Sequence, residues 1–277
     1  MKSYQPLPHL TVFQSALFQT TTTVIHTDDH LLLVDPNWLP QEVEHIAAFV
    51  AEHGAGKPNY LLFTHSDYDH IIGYGRFPDC TTLASLSFTR HPRAAAQLKQ
   101  ATDWDDANYV LRDYPVVYPS IDDPIAGDGT RRTLGTDDYE FYQAPGHNYD
   151  GLLTWNRSRG VLIVGDYLSN VEFPYVYESF RAYRATLAKL ETILATGEVR
   201  ALVSGHGDPT TDPAEMRHRL AESREYLDEL ETAVRAGVDY DFQKIRDRYA
   251  FPVIMQDFHD KNVALLRQEL GLSSGPG

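Results

Sequence analysis

The stretch "FTHSDYDHIIG" (63–73) sets His65, Asp67, Asp69 and His70 within six positions. Two imidazoles and two carboxylates at that density can ligate a metal ion or move a proton. Three further polar residues follow apolar runs and sit beside turn-forming residues: His147 in "APGHNYDG", Asp166 in "LIVGDYLS" and His206 in "VSGHGDP". Glycine permits the tight turn and close backbone approach that such a residue needs to point inward from a strand end. Divalent ions held by these groups could clamp a hydroxide and polarise a substrate oxygen, and such pairs lie about 3.5–4 Å apart.

The elements that must position these residues read as layered α/β. Strands are expected over 10–18, 21–27 and 30–35, which are rich in β-branched or aliphatic residues. Val43, Ile46, Ala47 and Val50 then mark one face of a helix ending near Gly54. "NYLLFTH" (59–65) is a short apolar strand suited to a buried sheet, so the histidine cluster begins where a strand ends. Residues 86–113 read as helical with an interruption at His91-Pro92, and 122–130 as a turn-rich loop. Strands are expected again at 139–145, 151–155 and 160–166, and a helix carries Phe180, Tyr183, Leu187, Leu190 and Leu194 along one face. "RALVSGHG" (200–207) is a last buried strand. Asp212 and Pro213 then open a charged helix as N-cap and first position. A final helix is expected over 256–270, and the tail "SSGPG" reads as frayed. No repeat or long linker interrupts the chain.

With 277 residues, 42% of them hydrophobic, the chain can bury a sizeable core. Lys and Arg number 24 against 39 Asp and Glu, a formal net charge of −15, which opposes nucleic acid and anionic membrane surfaces as partners. No segment approaches the roughly 20 apolar residues of a membrane span. The N-terminus "MKSYQPLPHLTVF" lacks signal-peptide character, so a cytoplasmic protein is expected. The single cysteine, Cys80, excludes an intrachain disulfide and a multi-cysteine zinc site, and reads as a small buried hydrophobe near a strand start. His9, His26, His30, His45, His53, His91, His218 and His259 read as ordinary hydrogen-bonding or surface residues.

Taken in order, the pieces resemble the metallo-β-lactamase superfamily, with its H-x-H-x-D-H motif, a His in a P-G-H turn, an Asp after a hydrophobic strand and a His in a G-H-G turn. The match runs from about residue 10 to 210, and Asp35 in "LLLVDP" fits the family's early strand. The resemblance implies a four-layered αβ/βα sandwich as a single domain over 1–277, with a helical extension from about 212. It also implies a one- or two-metal site at the sheet edges. Carried over by position, one ion takes His65, residue 67 and His147. The second takes Asp69, His70 and His206, and Asp166 bridges both. Asp69 would also orient the nucleophile and accept its proton.

Asp67 departs from the pattern, which usually has histidine there. It stands as a direct or water-mediated ligand, as an outer partner, or as the mark of a missing first metal; the first reading is adopted here. With histidine, two divalent cations, two carboxylates and one hydroxide leave one positive charge; a third carboxylate brings the site to neutrality. Such a site holds oxygen-preferring iron or manganese better than one built on imidazole alone, so zinc, iron and manganese are all expected candidates. The related flavo-diiron proteins have Glu at the corresponding place and hold iron.

The activity expected is hydrolysis of a small-molecule ester, lactone, thioester or phosphoester by a hydroxide held at the metals. The alternative is a stand-alone diiron protein that binds dioxygen or performs redox chemistry. The P-G-H turn at 145–147 resembles the hydrolase branch and favours the first. The superfamily's cysteine-ligand β-lactamases carry Cys near the place of Asp166, which Cys80 cannot fill. Tyr149, Tyr167, Tyr175 and Tyr177 follow the ligand loops and are expected to line the substrate pocket, or equally to pack. The C-terminal helices are expected to cap the site or to form a homodimer.

Overall fold

The computed structural model describes residues 1–272. The chain opens with a meander, β1 (Lys2–Leu7), β2 (Leu10–Gln14), β3 (Thr21–His26) and β4 (Leu31–Val34), each strand antiparallel to the one before. Helix α1 (Pro40–His53) then crosses over to β5 (Asn59–Leu62), parallel to β4. A one-turn helix α2 (Tyr68–Ile71) and a short turn lead to β6 (Thr81–Ser85), and helix α3 (Ala94–Ala107) to β7 (Asp123–Ile125), both strands parallel to their neighbours. These seven strands form one sheet in sequence order.

The second sheet holds β8 (Thr130–Leu134), β9 (Asp137–Gln143), β10 (Leu152–Asn156) and β11 (Val161–Ile163), antiparallel in turn. Helix α4 (Phe180–Ala195) crosses over to β12 (Ala201–Val203), which runs parallel to β11 at the edge. Three helices follow: α5 (Pro213–Ala236), α6 (Gln243–Arg248) and α7 (Pro252–Glu269).

Alternation along the strands produces the layers. In β4, Leu32 and Val34 face the second sheet, where they join Phe141, Leu152, Ile163 and Val203. Leu31 and Leu33 point the other way, onto Val43, Ile46 and Val50 of α1. Across the second sheet, Leu153, Trp155, Leu162 and Leu202 turn outward to Tyr183, Leu187 and Leu190 of α4 and to Leu227 and Leu230 of α5. The result is helix, sheet, sheet, helix, the four-layered arrangement expected, because each sheet is apolar on both faces and must be covered twice.

Several boundaries differ from the sequence reading. The expected long strand 10–18 stops at Gln14, because Phe18 and Gln19 adopt left-handed backbone in a turn. The helix read over 86–113 is a short turn at 88–90 and α3, separated where Pro92 cannot continue the helix. Part of the loop read over 122–130 is β7, an edge strand that tolerates Pro124. Strands β1 and β8 were not expected. The last helix begins at Pro252, not at 256, and the tail "SSGPG" lies outside the described residues.

Candidate metal centre

Strands β4 and β5 are parallel, and β9, β11 and β12 run in a common direction in the other sheet. Asp35, His65, His147, Asp166 and His206 each follow the end of one of these strands. Their loops meet at one rim, where the two sheets are tied together. Leu152 donates its amide to the Thr64 carbonyl, and Thr21 donates to the Gly205 carbonyl.

Four imidazoles converge at this rim with a shared orientation. His147 Nδ1 bonds the Tyr175 carbonyl at 2.8 Å, and His206 Nδ1 bonds the Phe18 carbonyl at 2.9 Å. His70 Nδ1 lies 3.0 Å from Asp35 Oδ2, and His65 Nδ1 lies 3.0 Å from Thr64 Oγ1. A carbonyl or carboxylate partner, or for His65 a hydroxyl whose own proton goes to Asp35, fixes a proton on Nδ1, so that in the neutral ring Nε2 carries the free lone pair, which is how metal-binding histidines are held. All four Nε2 atoms face the carboxylates of the cluster. Asp35 sits in left-handed backbone (φ 49°) and accepts from Thr64 N, Thr64 Oγ1 and His70. It is an orienting residue behind the cluster.

Asp166 is central. Its Oδ1 lies 3.2 Å from His70 Nε2; its Oδ2 lies 3.2 Å from His147 Nε2 and 3.3 Å from His206 Nε2. Asp69 Oδ2 is 3.5 Å from His206 Nε2 and 3.7 Å from His70 Nε2. Asp67 Oδ2 is 3.2 Å from His147 Nε2 and 3.5 Å from His65 Nε2. Two groups of donors therefore result: His65, Asp67, His147 and Asp166, and beside them Asp69, His70 and His206. Within each group the donor atoms lie within 4.8 Å of one another. His65 Nε2, His70 Nε2 and Asp166 Oδ1 are buried and have no hydrogen-bond partner among the described residues. Buried polar atoms are seldom left unpaired, so a nitrogen-and-oxygen donor set of this kind fits divalent cations.

Asp67 is the N-cap residue of α2, yet its side chain makes no cap hydrogen bond. Its Oδ1 instead accepts from Asn148 Nδ2 at 2.6 Å and Gln97 Nε2 at 2.9 Å, leaving Oδ2 aimed at His65 and His147. Sequence reading missed this pair of amides. Asn148 stood next to a marked histidine, whereas nothing about Gln97, on α3, signals its role.

Glycine is required where the loops crowd. A Cβ on Gly205 would fall 2.1 Å from Asp166 Oδ1 and 2.9 Å from His70 Cε1. Gly146 has φ +132°, and a side chain there would meet the Tyr183 backbone at 2.3 Å.

The charges explain why the cluster favours a cation. Burial alone would raise the carboxyl of Asp67, but its hydrogen bond with His147 and the neighbouring His65 imidazole outweigh it and hold it below the usual range. Burial likewise opposes protonation of His206, yet Glu172, Asp166 and Asp69 push it up to about 10. Without a cation, imidazolium protons must neutralise the carboxylates.

A chamber of about 110 Å³ opens onto these residues and is walled by Phe18, Tyr68, Tyr175, Tyr177, Ile254 and Phe258, with Glu172 at its edge. Tyr175 and Tyr177 thus face it as expected, and Tyr177 packs on the His147 ring with centroids 5.0 Å apart. Tyr167 does not: its hydroxyl bonds the carbonyls of Ala144 and Pro145 and the amide of His147, fixing the P-G-H turn from behind. Tyr149 is 39% exposed and packs edge-on against His91, away from the chamber wall. Burial pushes Glu172, which sequence reading passed over, up to about 7. Helix α7 supplies Ile254 and Phe258 as a roof. It is held there by Asn262, which accepts from Val176 N and donates to the Pro174 carbonyl.

A four-layered sandwich with this histidine and aspartate cluster at its rim defines a protein class, and the family model confirms it over residues 16–234: the chain belongs to the metallo-beta-lactamase superfamily. Among solved structures, it is similar to a metallo-beta-lactamase family protein of Thermus thermophilus, with 20% identity and a TM-score of 0.66, covering 98% of this chain and 97% of that one. A beta-lactamase domain protein of Burkholderia ambifaria matches with 15% identity and a TM-score of 0.68 over 98% and 88%. The stereoselective inverting sec-alkylsulfatase of a Pseudomonas species matches with 16% identity and a TM-score of 0.70 over 99% of this chain, which spans 51% of that one. At these identities the likeness establishes the fold. No curated protein matches the chain. No helix among the described residues is long and apolar enough to cross a membrane.

Proposed function

We propose that the chain is a metal-dependent hydrolase of a small-molecule ester, lactone, thioester or phosphoester, with a two-ion centre. The observation that carries this reading is the convergence of four Nδ1-anchored imidazoles on Asp67, Asp69 and Asp166, whose inward atoms include buried ones with no other partner. Divalent ions bound there would supply a nucleophile at neutral pH and a Lewis acid for the substrate oxygen. His65, Asp67 and His147 would hold one ion, Asp69, His70 and His206 the other, and Asp166 would reach both. Asp69, whose Oδ2 lies 3.4 Å from Thr20 Oγ1 on the chamber wall, would orient an attacking oxygen and take its proton. With substrate filling the chamber, the aromatic wall and the α7 roof would displace water from the reacting group, which would strengthen the charge interactions inside.

A second reading, a dioxygen-binding diiron protein, rests on the Asp67 carboxylate, which favours iron over zinc. Metal analysis of protein grown with zinc, manganese or iron, combined with a panel of carboxylic esters, lactones, thioesters, phosphoesters and alkyl sulfates, separates the two. The sulfate is included because of the fold shared with the alkylsulfatase. Two ions per chain with cleavage of one panel member is the expected result. An iron-loaded protein that consumes dioxygen and cleaves nothing would reverse the order.

A further inference from the structure

The chamber at the donor cluster is too small for a whole substrate: about 110 Å³, against about 300–1,000 Å³ for ordinary small-molecule sites. It opens at both ends. On one side it shares Phe18, Glu172 and Ile254 with a cleft of about 510 Å³, walled further by Leu17, Val171, Phe251 and Val253. On the other it shares Asp67, Tyr68, Tyr177 and Phe258 with a cleft of about 560 Å³ that carries Arg93, Gln97, Gln100 and Lys261. The two clefts differ in chemistry, and the donor cluster lies between them.

The first cleft is apolar and openly exposed. Phe18, Phe251, Val253 and Ile254 are 39%, 57%, 91% and 44% exposed, and these four gather at one opening. Single exposed hydrophobes need no explanation, but a cluster continuous with a catalytic chamber is what an aliphatic ligand would cover. The second cleft is polar, and away from Asp67 at its inner end it offers two cations, Arg93 and Lys261, on a chain of net charge −15. The Arg93 guanidinium has no hydrogen-bond or ion-pair partner among the described residues. Lys261 pairs with Asp257 one turn away, an exposed pair of little strength, and its ammonium lies 5.3 Å from the centroid of the Phe258 ring.

We propose that the substrate is an amphiphile: an aliphatic chain in the Phe251–Ile254 cleft, the scissile bond at the donor cluster, and an anionic head near Arg93 and Lys261. This rests on the hydrolase reading, and the test separates the two. Acyl esters of 4-hydroxybenzoate, from acetate to decanoate, put a chain on one side of the bond and a carboxylate on the other. Hydrolysis releases 4-hydroxybenzoate and the fatty acid, one water being consumed. With metal-loaded protein, kcat/KM is expected to rise with chain length, by up to about fourfold per methylene until the cleft is filled. It is also expected to be about tenfold higher for the free carboxylate head than for its methyl ester. Val253→Asp should flatten the chain-length series, and Arg93→Gln the head-group preference. Calorimetric binding of decanoate against butyrate gives a readout independent of turnover, with decanoate expected to bind at least tenfold tighter. A flat chain-length series with acetate cleaved, or equal binding of decanoate and butyrate, overturns the proposal and leaves the hydrolase reading standing. Tighter decanoate binding without cleavage of any member of the ester, lactone, thioester, phosphoester and alkyl sulfate panel sinks the hydrolase reading and keeps the amphiphile site. A concentration-dependent dimer that abolishes decanoate binding would assign the apolar cleft to a second copy of the chain and also overturn it.

Discussion

Asp67 faces the cluster with one oxygen because two amides hold the other, and removing those amides tests whether it binds metal. Gln97→Leu is the cleaner perturbation. Its Nε2 donates only to Asp67 Oδ1, at 2.9 Å, and its Oε1 is buried without a partner, so leucine orphans nothing else. A hydrogen bond to a charged acceptor contributes about 1.5–3 kcal/mol, and loss of an outer partner of a metal ligand typically weakens metal binding about 10–100-fold. Gln97 is half-buried and its bond is the longer of the two, so the low end, about tenfold, is expected. Asn148→Ala removes the 2.6 Å bond from a residue only 1% exposed and should approach a hundredfold. Part of that loss is structural, since Asn148 Oδ1 also accepts from Tyr149 N at 2.7 Å. Because both donors share one oxygen, the double variant should lose less than the sum. Chelator competition followed by stepwise metal analysis reads the two ions separately. The weakened ion should be the one beside His65 and His147, with the Asp69–His70–His206 ion retained. Unchanged or tighter first-ion affinity in both single variants would refute Asp67 as a ligand.

Asp67→His should move the loaded site from neutral to one positive charge, shifting the acidic limb of the pH–rate profile to lower pH and favouring zinc over manganese; a folded, fully loaded variant with neither change removes Asp67 from the ligand set. Gly205→Ala should lower the affinity for both ions by at least about a hundredfold, since its Cβ would overlap Asp166 Oδ1 and crowd His70; metal analysis with a circular-dichroism check of folding decides it. Metal binding at pH 7 should release protons to the buffer, because His206 is pushed up to about 10 and must give up its proton to ligate; calorimetry in buffers of different ionisation enthalpy measures the number, and no release would refute the imidazolium network. In the metal-free protein that raised His206 pKa contributes stability fully present below its ordinary 6.5 and lost as pH rises toward about 10, so the apo thermal midpoint should fall over that window and the loaded one should not.

The seven residues of the cluster were legible because each is a chemically distinctive type placed next to a turn, a local signal. Gln97 was not, because an amide on an amphipathic helix looks the same whether it faces water or a ligand. Tyr167 and Tyr177 read alike in sequence; only the fold turns one hydroxyl behind the P-G-H turn and one ring toward the chamber. The layers followed from apolar alternation in "HLLLVD" and "NYLLF", whereas "KSYQPL" and "TRRTL" carry too much polarity to announce strands. They are strands because β2 and β9 present unpaired edges to them. Pro252 at the first position of α7 was a readable start signal and was passed over in favour of a later boundary.

Each donor group draws on both sheets: His65 and Asp67 come from the loop after β5 and meet His147 from the loop after β9, while Asp69 and His70 meet His206 from beyond β12. An ion bound in either place would therefore be a clasp across the mouth of a clamshell whose hinge is the apolar layer between the sheets. That layer packs the two sheets face to face away from the rim, so emptying the clasps is expected to leave the body shut and to slacken only the lip, at Thr21, Leu152 and Gly205. Amide exchange at these positions should quicken on chelation while β4 and the remainder of β10, from Leu153 to Asn156, stay protected. The loops that would hold the ions are the same loops that shape the entrance, so loading with metal and setting the width of the opening would become one event.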